Sequence, residues 1–143
     1  MTLDRPKVRN AMSVAMVNEI ETVLGAVADR RDVRVLVLRG AGDHFCAGGD
    51  IRDMATARGS ERKEGERDPA ATVNRRFGSM ITAVDRAPQA VVALLHGAVL
   101  GGGFGLACVA DIAIATADAR FGLPETGLGL PPAQIAAFVV RRL

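Results

Sequence analysis

With 143 residues the chain has room for one domain and not two, and 49% hydrophobic with 24% charged residues suits a packed globular core. A net charge of +2, no Trp or Tyr and five scattered Phe argue against a nucleic-acid partner, which needs clustered cations and aromatic stacking platforms. No apolar run approaches the ~20 residues that span a bilayer, the opening MTLDRPKVRN lacks a secretory apolar region, and two cysteines are too few for a disulfide framework, so the expectation is a cytoplasmic setting without a membrane partner.

Thr2-Leu3 reads as the end of a strand, and Asp4-Arg5-Pro6 as a turn. Asn10 or Ser13 can cap a helix whose apolar positions Val17, Ile20, Leu24 and Val27 keep helical spacing. Residues 33–38 predict a strand. Val33, Val35 and Val37 lie on one side and Leu36 and Leu38 on the other, so both faces are expected to be covered. A loop follows, and then Phe45-Cys46-Ala47-Gly48-Gly49-Asp50-Ile51 brings small residues to a helix start. Residues 58–68 carry eight charges in eleven positions and read as a mobile, solvated segment. Val73, Phe77, Met80, Ile81 and Val84 form the apolar face of a second helix, and Pro88 restarts the chain into a strand through Leu95.

Residues 97–105, GAVLGGGFG, are the most unusual stretch, because consecutive glycines after a strand signal close backbone approach. A helix through Leu106 and Val109, a strand over 112–115 and a Gly/Leu/Pro turn cluster after Pro124-Glu125 complete an α/β layered pattern without a sequence repeat. Ile135, Phe138 and Val139 make an apolar face without a visible partner. Both ends are expected to be truncated, since the first residues read as a strand already under way and the last open a helix without a cap.

Several common motifs fail. There is no G-x-G-x-x-G/A, no Gly-Lys-Ser/Thr and no G-x-S-x-G, and His44 and His96 lack metal-ligand spacing, so no metal is expected. Two small-residue loops remain, over 45–51 and 96–103. Each brings backbone N–H groups to a helix N-terminus, where they have no partner within the helix. Two such donors aimed at one oxygen would form an oxyanion hole, worth about 3–4 kcal/mol per donor. Cys46 and Cys108 read as small buried residues, His44 as an exposed turn residue, and Asp111 as a partner for nearby backbone donors.

At these residues the chain resembles the enoyl-CoA hydratase/isomerase (crotonase) family. Leu3-Asp4-Arg5-Pro6 with Asn10-Ala11 is similar to that family's N-terminal motif, F-C-A-G-G-D-I to its first oxyanion loop, and G-A-V-L-G-G-G-F-G-L-A with Asp111 to its second. Phe121-Gly122-Leu123-Pro124-Glu125 is similar to the segment bearing a catalytic glutamate, and the matches follow family order over essentially the whole chain. The resemblance implies an α/β crotonase (ClpP-like) spiral of ββα units and an acyl-CoA thioester as substrate, with coenzyme A part of the substrate and no separate cofactor. It also implies a homo-trimer or a dimer of trimers. By motif, Ala47 and Gly102 would donate their N–H groups to the thioester oxygen, and Glu125 would be the general acid/base. Ala47, Gly48, Gly49, Asp50 and Ile51 would line the adenine and acyl region, while Lys7, Val8 and Arg9 would meet the nucleotide end. Asp50 reads equally as a helix cap.

One departure bears on the reaction. Hydratases of the family often carry a second glutamate where this chain has Gly105. Glu125 then works alone, another group substitutes, or the reaction is not hydration. The run 122–135 and the F-G-L after GGG resemble a subgroup acting on branched glutaconyl-type thioesters, such as isohexenylglutaconyl-CoA hydratase of acyclic terpene breakdown and methylglutaconyl-CoA hydratase. The reading is therefore hydration of a branched enoyl-CoA. The alternatives are an enoyl-CoA isomerase and a non-catalytic acyl-CoA-binding fragment.

Overall fold

A computed structural model describes residues 1–59, 65 and 68–143; of the charged run 58–68, positions 60–64, 66 and 67 lie outside the described residues. In chain order the elements are β1 (Thr2–Leu3), α1 (Val14–Val27), β2 (Val35–Gly40), α2 (Ile51–Gly59), α3 (Pro69–Asp85), β3 (Ala90–Leu95), β4 (Ala98–Leu100), α4 (Gly102–Val109), β5 (Ile112–Ala115), β6 (Arg120–Gly122) and α5 (Ala136–Arg142). Strands β1, β2, β3 and β5 pair side by side, all parallel, in that order. Parallel neighbours cannot be joined by a hairpin, so each pair is connected by a crossover containing a helix.

Every crossover also contains a second extended piece. Met12 bridges Gly49, Cys46 bridges Val99, and β4 pairs with β6, again all parallel. The chain thus repeats one unit four times: a main-sheet strand, a short second strand or bridge, then helix. These are stacked ββα turns built from unrelated sequence. Residues 98–100 and 120–122, read from sequence as loop and lead-in, are strands of this second row, and their runs of three are too short to show a period-2 pattern.

Between the main sheet and the helices lies the core. Leu36, Leu38, Ala93 and Leu95 point into it and meet Ile20, Ile81 and Leu106 from three helices. Ser13 caps α1, its Oγ accepting from Met16 N at 3.2 Å. Asn10 does different work. It is fully buried at a positive φ of 56°, accepts from Arg5 N at 2.8 Å, and donates to the carbonyls of Ala41 (2.8 Å) and His44 (2.6 Å). Asp111 accepts from Val91 N at 2.7 Å, the backbone-satisfying role its position suggested. His44 is not the exposed turn residue expected: it is half-buried, and its Nδ1 accepts from Ala98 N at 3.2 Å.

Two sequence expectations about burial are corrected. Strand β2 begins at Val35, not Val33, and only its leucine face is covered. The register sets Val37 beside Val92, Val92 beside Ile112 and Leu94 beside Ile114. Val35, Val37, Leu94, Ile112 and Ile114 are each 36–56% exposed, forming one bare apolar face. Conversely, Ile135 and Val139 are buried against the core instead of lacking a partner, and Phe138 is half-buried with the Arg141 guanidinium 5.4 Å from its ring centre. Contiguous exposed apolar surface seeks burial. The 143-residue chain by itself is therefore expected to self-associate through the sheet face; sedimentation velocity should show species larger than monomer, and Ile112→Lys with Ile114→Lys should shift them towards monomer.

Candidate active site

The second row of strands positions the site. Cys46 N–H donates to the Ala98 carbonyl and Leu100 N–H to the Cys46 carbonyl, both at 2.9 Å, locking the first small-residue loop beside β4. Gly101 N–H donates to the Gly122 carbonyl at 2.8 Å, locking β4 beside β6. Because the three pieces run parallel, their carboxyl ends emerge together: residues 47–50, residues 101–102, and residues 123–125. The carboxyl ends of parallel strands are where α/β sheets form ligand crevices.

Glycine is required at the meeting point. Gly48 has φ +102°, and a Cβ there would stand 3.3 Å from the Leu100 carbonyl oxygen and 3.8 Å from Gly102 N. Gly101, at φ 48° and ψ −119°, ends β4 and caps α4 in a conformation closed to side-chain-bearing residues.

The two backbone donors expected by motif differ in whether they already have an acceptor. Ala47 N–H donates to the Arg9 carbonyl at 2.9 Å, so it is occupied in holding the 5–10 turn against the loop. Gly49 N–H, two residues on, has no acceptor within the described residues: its neighbours take the bridge to Met12 through Gly48 O (2.8 Å) and Asp50 N (2.9 Å). Gly102 opens α4, and its N–H has no acceptor either, as the first helical N–H groups have none within their helix. A Cβ on Gly102 would overlap Phe77 and lie 2.6 Å from Met12 Cε, so its side-chain direction faces protein and not an open thioester channel.

Glu125 comes from the next strand end. Pro124 starts a 3-10 turn, Pro124–Leu128, directly after β6, and Glu125 lies in its first turn. A Cβ placed on Gly101 would be 3.3 Å from Glu125 Oε2 and 3.6 Å from Gly48 Cα, so the carboxylate sits over the junction of the two loops. Glu125 is half-buried, and no hydrogen bond or ion pair holds its carboxylate among the described residues. A group so placed is available to a ligand. Phe104 and Phe121, ring centres 5.6 Å apart and edge-to-face, brace α4 against β6 beside it.

The remaining predicted residues have structural or peripheral places. Pro6–Val8 form an exposed 3-10 turn; Lys7, Val8 and Arg9 lie on the outside of the loop, with Arg9 at φ 53°. Ile51 opens α2 and is exposed. Asp50 is a cap, its Oδ1 accepting from Arg52 N at 3.0 Å, while Oδ2 pairs with Arg5 at 2.8 Å. Burial pushes its carboxyl up, but Arg5 and the Arg52 N–H outweigh burial and hold it below the ordinary carboxylate value. Burial pushes the Cys46 thiol up to about 11 and also raises Cys108, which leaves neither a ready nucleophile. Sequence reasoning missed Arg5 and Asn10 as clamps and Met12 and Phe77 as the floor beneath Gly102. An Asn at the end of an R-P turn offered a weak signal for the first pair; the floor depends on tertiary packing alone.

A depressed carboxylate pKa contributes stability above its unfolded value and loses it as pH falls through the folded value. Asp50→Asn in the full-length protein is accordingly expected to cost about 1–2 kcal/mol at pH 7, towards the low end for charged hydrogen bonds because Arg5 keeps a third of its side chain in water. The gap between the wild-type and Asn proteins should begin to narrow as pH falls below about 4 and close only below the lower folded value. Urea denaturation at pH 7 and pH 3.5 would check both signs.

Comparison with known proteins agrees with this fold. The family model described as enoyl-CoA hydratase/isomerase matches residues 1–143. The solved structure of Pseudomonas aeruginosa AtuE superimposes with a TM-score of 0.91 at 64% identity, over 99% of this chain and 53% of that one. An enoyl-CoA hydratase/isomerase from Marinobacter aquaeolei superimposes with a TM-score of 0.93 at 56% identity, again over 99% and 53%. The 2,3-dehydroadipyl-CoA hydratase of Escherichia coli is 34% identical over 132 residues, 92% of this chain and 48% of that protein. The chain spans about half the length of the proteins it matches.

Proposed function

The chain belongs to the enoyl-CoA hydratase/isomerase family and has its crotonase fold, and on that premise we propose that the full-length protein hydrates an α,β-unsaturated acyl-CoA thioester. The supporting observation is the meeting of Glu125 with Gly48 and Gly101 beside two N–H groups, those of Gly49 and Gly102, that have no acceptor among the described residues. In this reading the thioester carbonyl accepts from both N–H groups, which stabilise the negative charge that develops as it becomes an enolate. Glu125 reaches the acyl carbons from the β6 side, takes a proton from water as that water adds to Cβ, and delivers a proton to Cα. Coenzyme A enters and leaves as part of the substrate, and the chemistry calls for no separate cofactor.

The acyl group we propose is branched and glutaconyl-type, as the likeness of residues 122–135 to that subgroup suggests. A single carboxylate at the reacting centre also suits a substrate bearing its own, since a second one would repel it. A trimeric assembly, as in the family, is part of the same proposal.

One observation favours a second reading, enoyl-CoA isomerisation. A Cβ on Gly105 would overlap Ile135 Cγ2, so the place of a second carboxylate is filled by hydrocarbon. A single base suffices to move a proton between two carbons. The test offers the full-length protein methyl-branched glutaconyl, straight-chain 2-enoyl and 3-enoyl thioesters, measuring hydroxyacyl product and double-bond migration separately. Hydroxyacyl product dominated by the branched substrate supports the proposal; migration without hydration moves the assignment to isomerase; turnover of neither overturns both.

A further inference from the structure

The two glycines of helices α3 and α4 that face residues 134–135 carry an inference about how Glu125 is held. Gly105 is buried in α4, and a Cβ there would overlap Ile135 Cγ2 and lie 3.1 Å from Ile135 Cβ and 3.5 Å from Ile81 Cδ1. Gly78 is buried in α3, and a Cβ there would overlap Gln134 Oε1 and lie 2.9 Å from its Cδ. Consecutive residues of one segment thus key into gaps on two adjacent helices. Ile135 is 2% exposed, so its key is fully seated.

That key closes a short span whose other end is β6. Residues 123–135 leave β6 at Gly122, which accepts from Gly101 N, and end on Ile135. Between the anchors, Leu130 N donates to the Glu125 carbonyl at 3.1 Å and Ile135 N to the Pro132 carbonyl at 3.0 Å. The Glu125 backbone is therefore tied from both directions, while its carboxylate has no protein partner among the described residues. Where the carboxylate stands is decided by where its backbone stands, and Ile135 supplies one of the two fixed points.

We infer that Ile135, seated against Gly105, is a positioning residue for Glu125, and that the hydrocarbon in that socket makes this a site with a single carboxylate. The inference rests on the reading of Glu125 as the proton carrier. A displacement of about 1 Å in a reacting group can cost on the order of 10²-fold in rate, so a shift in this key should be read in kcat more than in substrate binding.

The test uses the full-length protein with Ile135→Leu, Ile135→Val, Gly105→Ala and the pair Gly105→Ala/Ile135→Ala. Leucine conserves volume but has no β-branch to enter the socket, so the fold should hold. Expected are a kcat drop of about tenfold or more for Ile135→Leu with KM changed less than twofold, and near-normal kcat for Ile135→Val, which keeps the branch. Gly105→Ala should lower kcat, and pairing it with Ile135→Ala should recover part of the loss. Normal kcat in folded Ile135→Leu, or additive losses in the pair, would overturn the inference. Glu125→Gln run alongside separates the two claims: if it is active the proton-carrier reading fails, and if it is inactive while Ile135→Leu is normal only the positioning role fails.

Discussion

Replacing Glu125 with Gln in the full-length protein is expected to lower kcat by a factor of about 10²–10⁴ and to leave the KM for the acyl-CoA within a few-fold. The substitution keeps the side chain's size and removes its capacity to take a proton. It should cost the fold almost nothing, because the Glu125 carboxylate makes no hydrogen bond or ion pair within the described residues. Surface changes of that kind usually fall within about 0.5 kcal/mol. The contrast is the diagnostic: a side chain retained for stability would have partners, and this one has only the loop junction at Gly48 and Gly101. Steady-state kinetics with a melting curve on the same sample would check it. Turnover within threefold of wild type would remove Glu125 from the chemistry, and a collapse of the melting temperature would show a structural part that the geometry does not predict.

Legibility of this fold in the sequence followed the length of each element. Helices α1 and α3 were readable because Val17, Ile20 and Leu24, and then Met80, Ile81 and Val84, keep one face over several turns. Strands β4 and β6 were not, since three residues carry no period. The bare face of β2 was misread for another reason. Val35 and Val37 have the composition of a covered strand, and whether anything lies over them is a property of the assembly, not of local sequence. At the site, the glycines announced close backbone approach, but glycine alone cannot say which neighbouring N–H stays free. Ala47 and Gly49 differ by two residues, yet the Ala47 N–H is bonded to the 5–10 turn while the Gly49 N–H has no acceptor within the described residues. Only the bond from Ala47 to Arg9 decides between them. The hydrocarbon beside Gly105 was beyond sequence reasoning as well, because Ile135 lies thirty positions along the chain and arrives there by packing.

The choice between those two N–H groups leads to the sharpest expected contrast. An amide-to-ester replacement at residue 49 of the full-length protein removes the N–H with almost no change of shape. It is expected to lower kcat by about 10²–10³, the effect of deleting one oxyanion donor. Stability should fall less than for the same replacement at residue 47, because Gly49 N–H has no acceptor within the described residues to lose and the bond from Met12 N to the Gly48 carbonyl is weakened but not removed. The same replacement at residue 47 should do the reverse. It removes the 2.9 Å bond to the Arg9 carbonyl and leaves that carbonyl without its donor, which is expected to cost about 1–3 kcal/mol of stability. Its effect on kcat should stay below tenfold, coming only through a loosened 5–10 turn. The two replacements are chemically identical and only two residues apart, so solvent, charge and side-chain volume cannot account for a difference between them. If the ester at 47 abolishes turnover in a protein that melts normally while the ester at 49 does not, the donor is Ala47, and its bond to Arg9 must break when the thioester binds. If neither ester changes kcat, the thioester oxygen is held elsewhere, and Gly48, Gly49 and Gly101 serve only to let the strand ends approach.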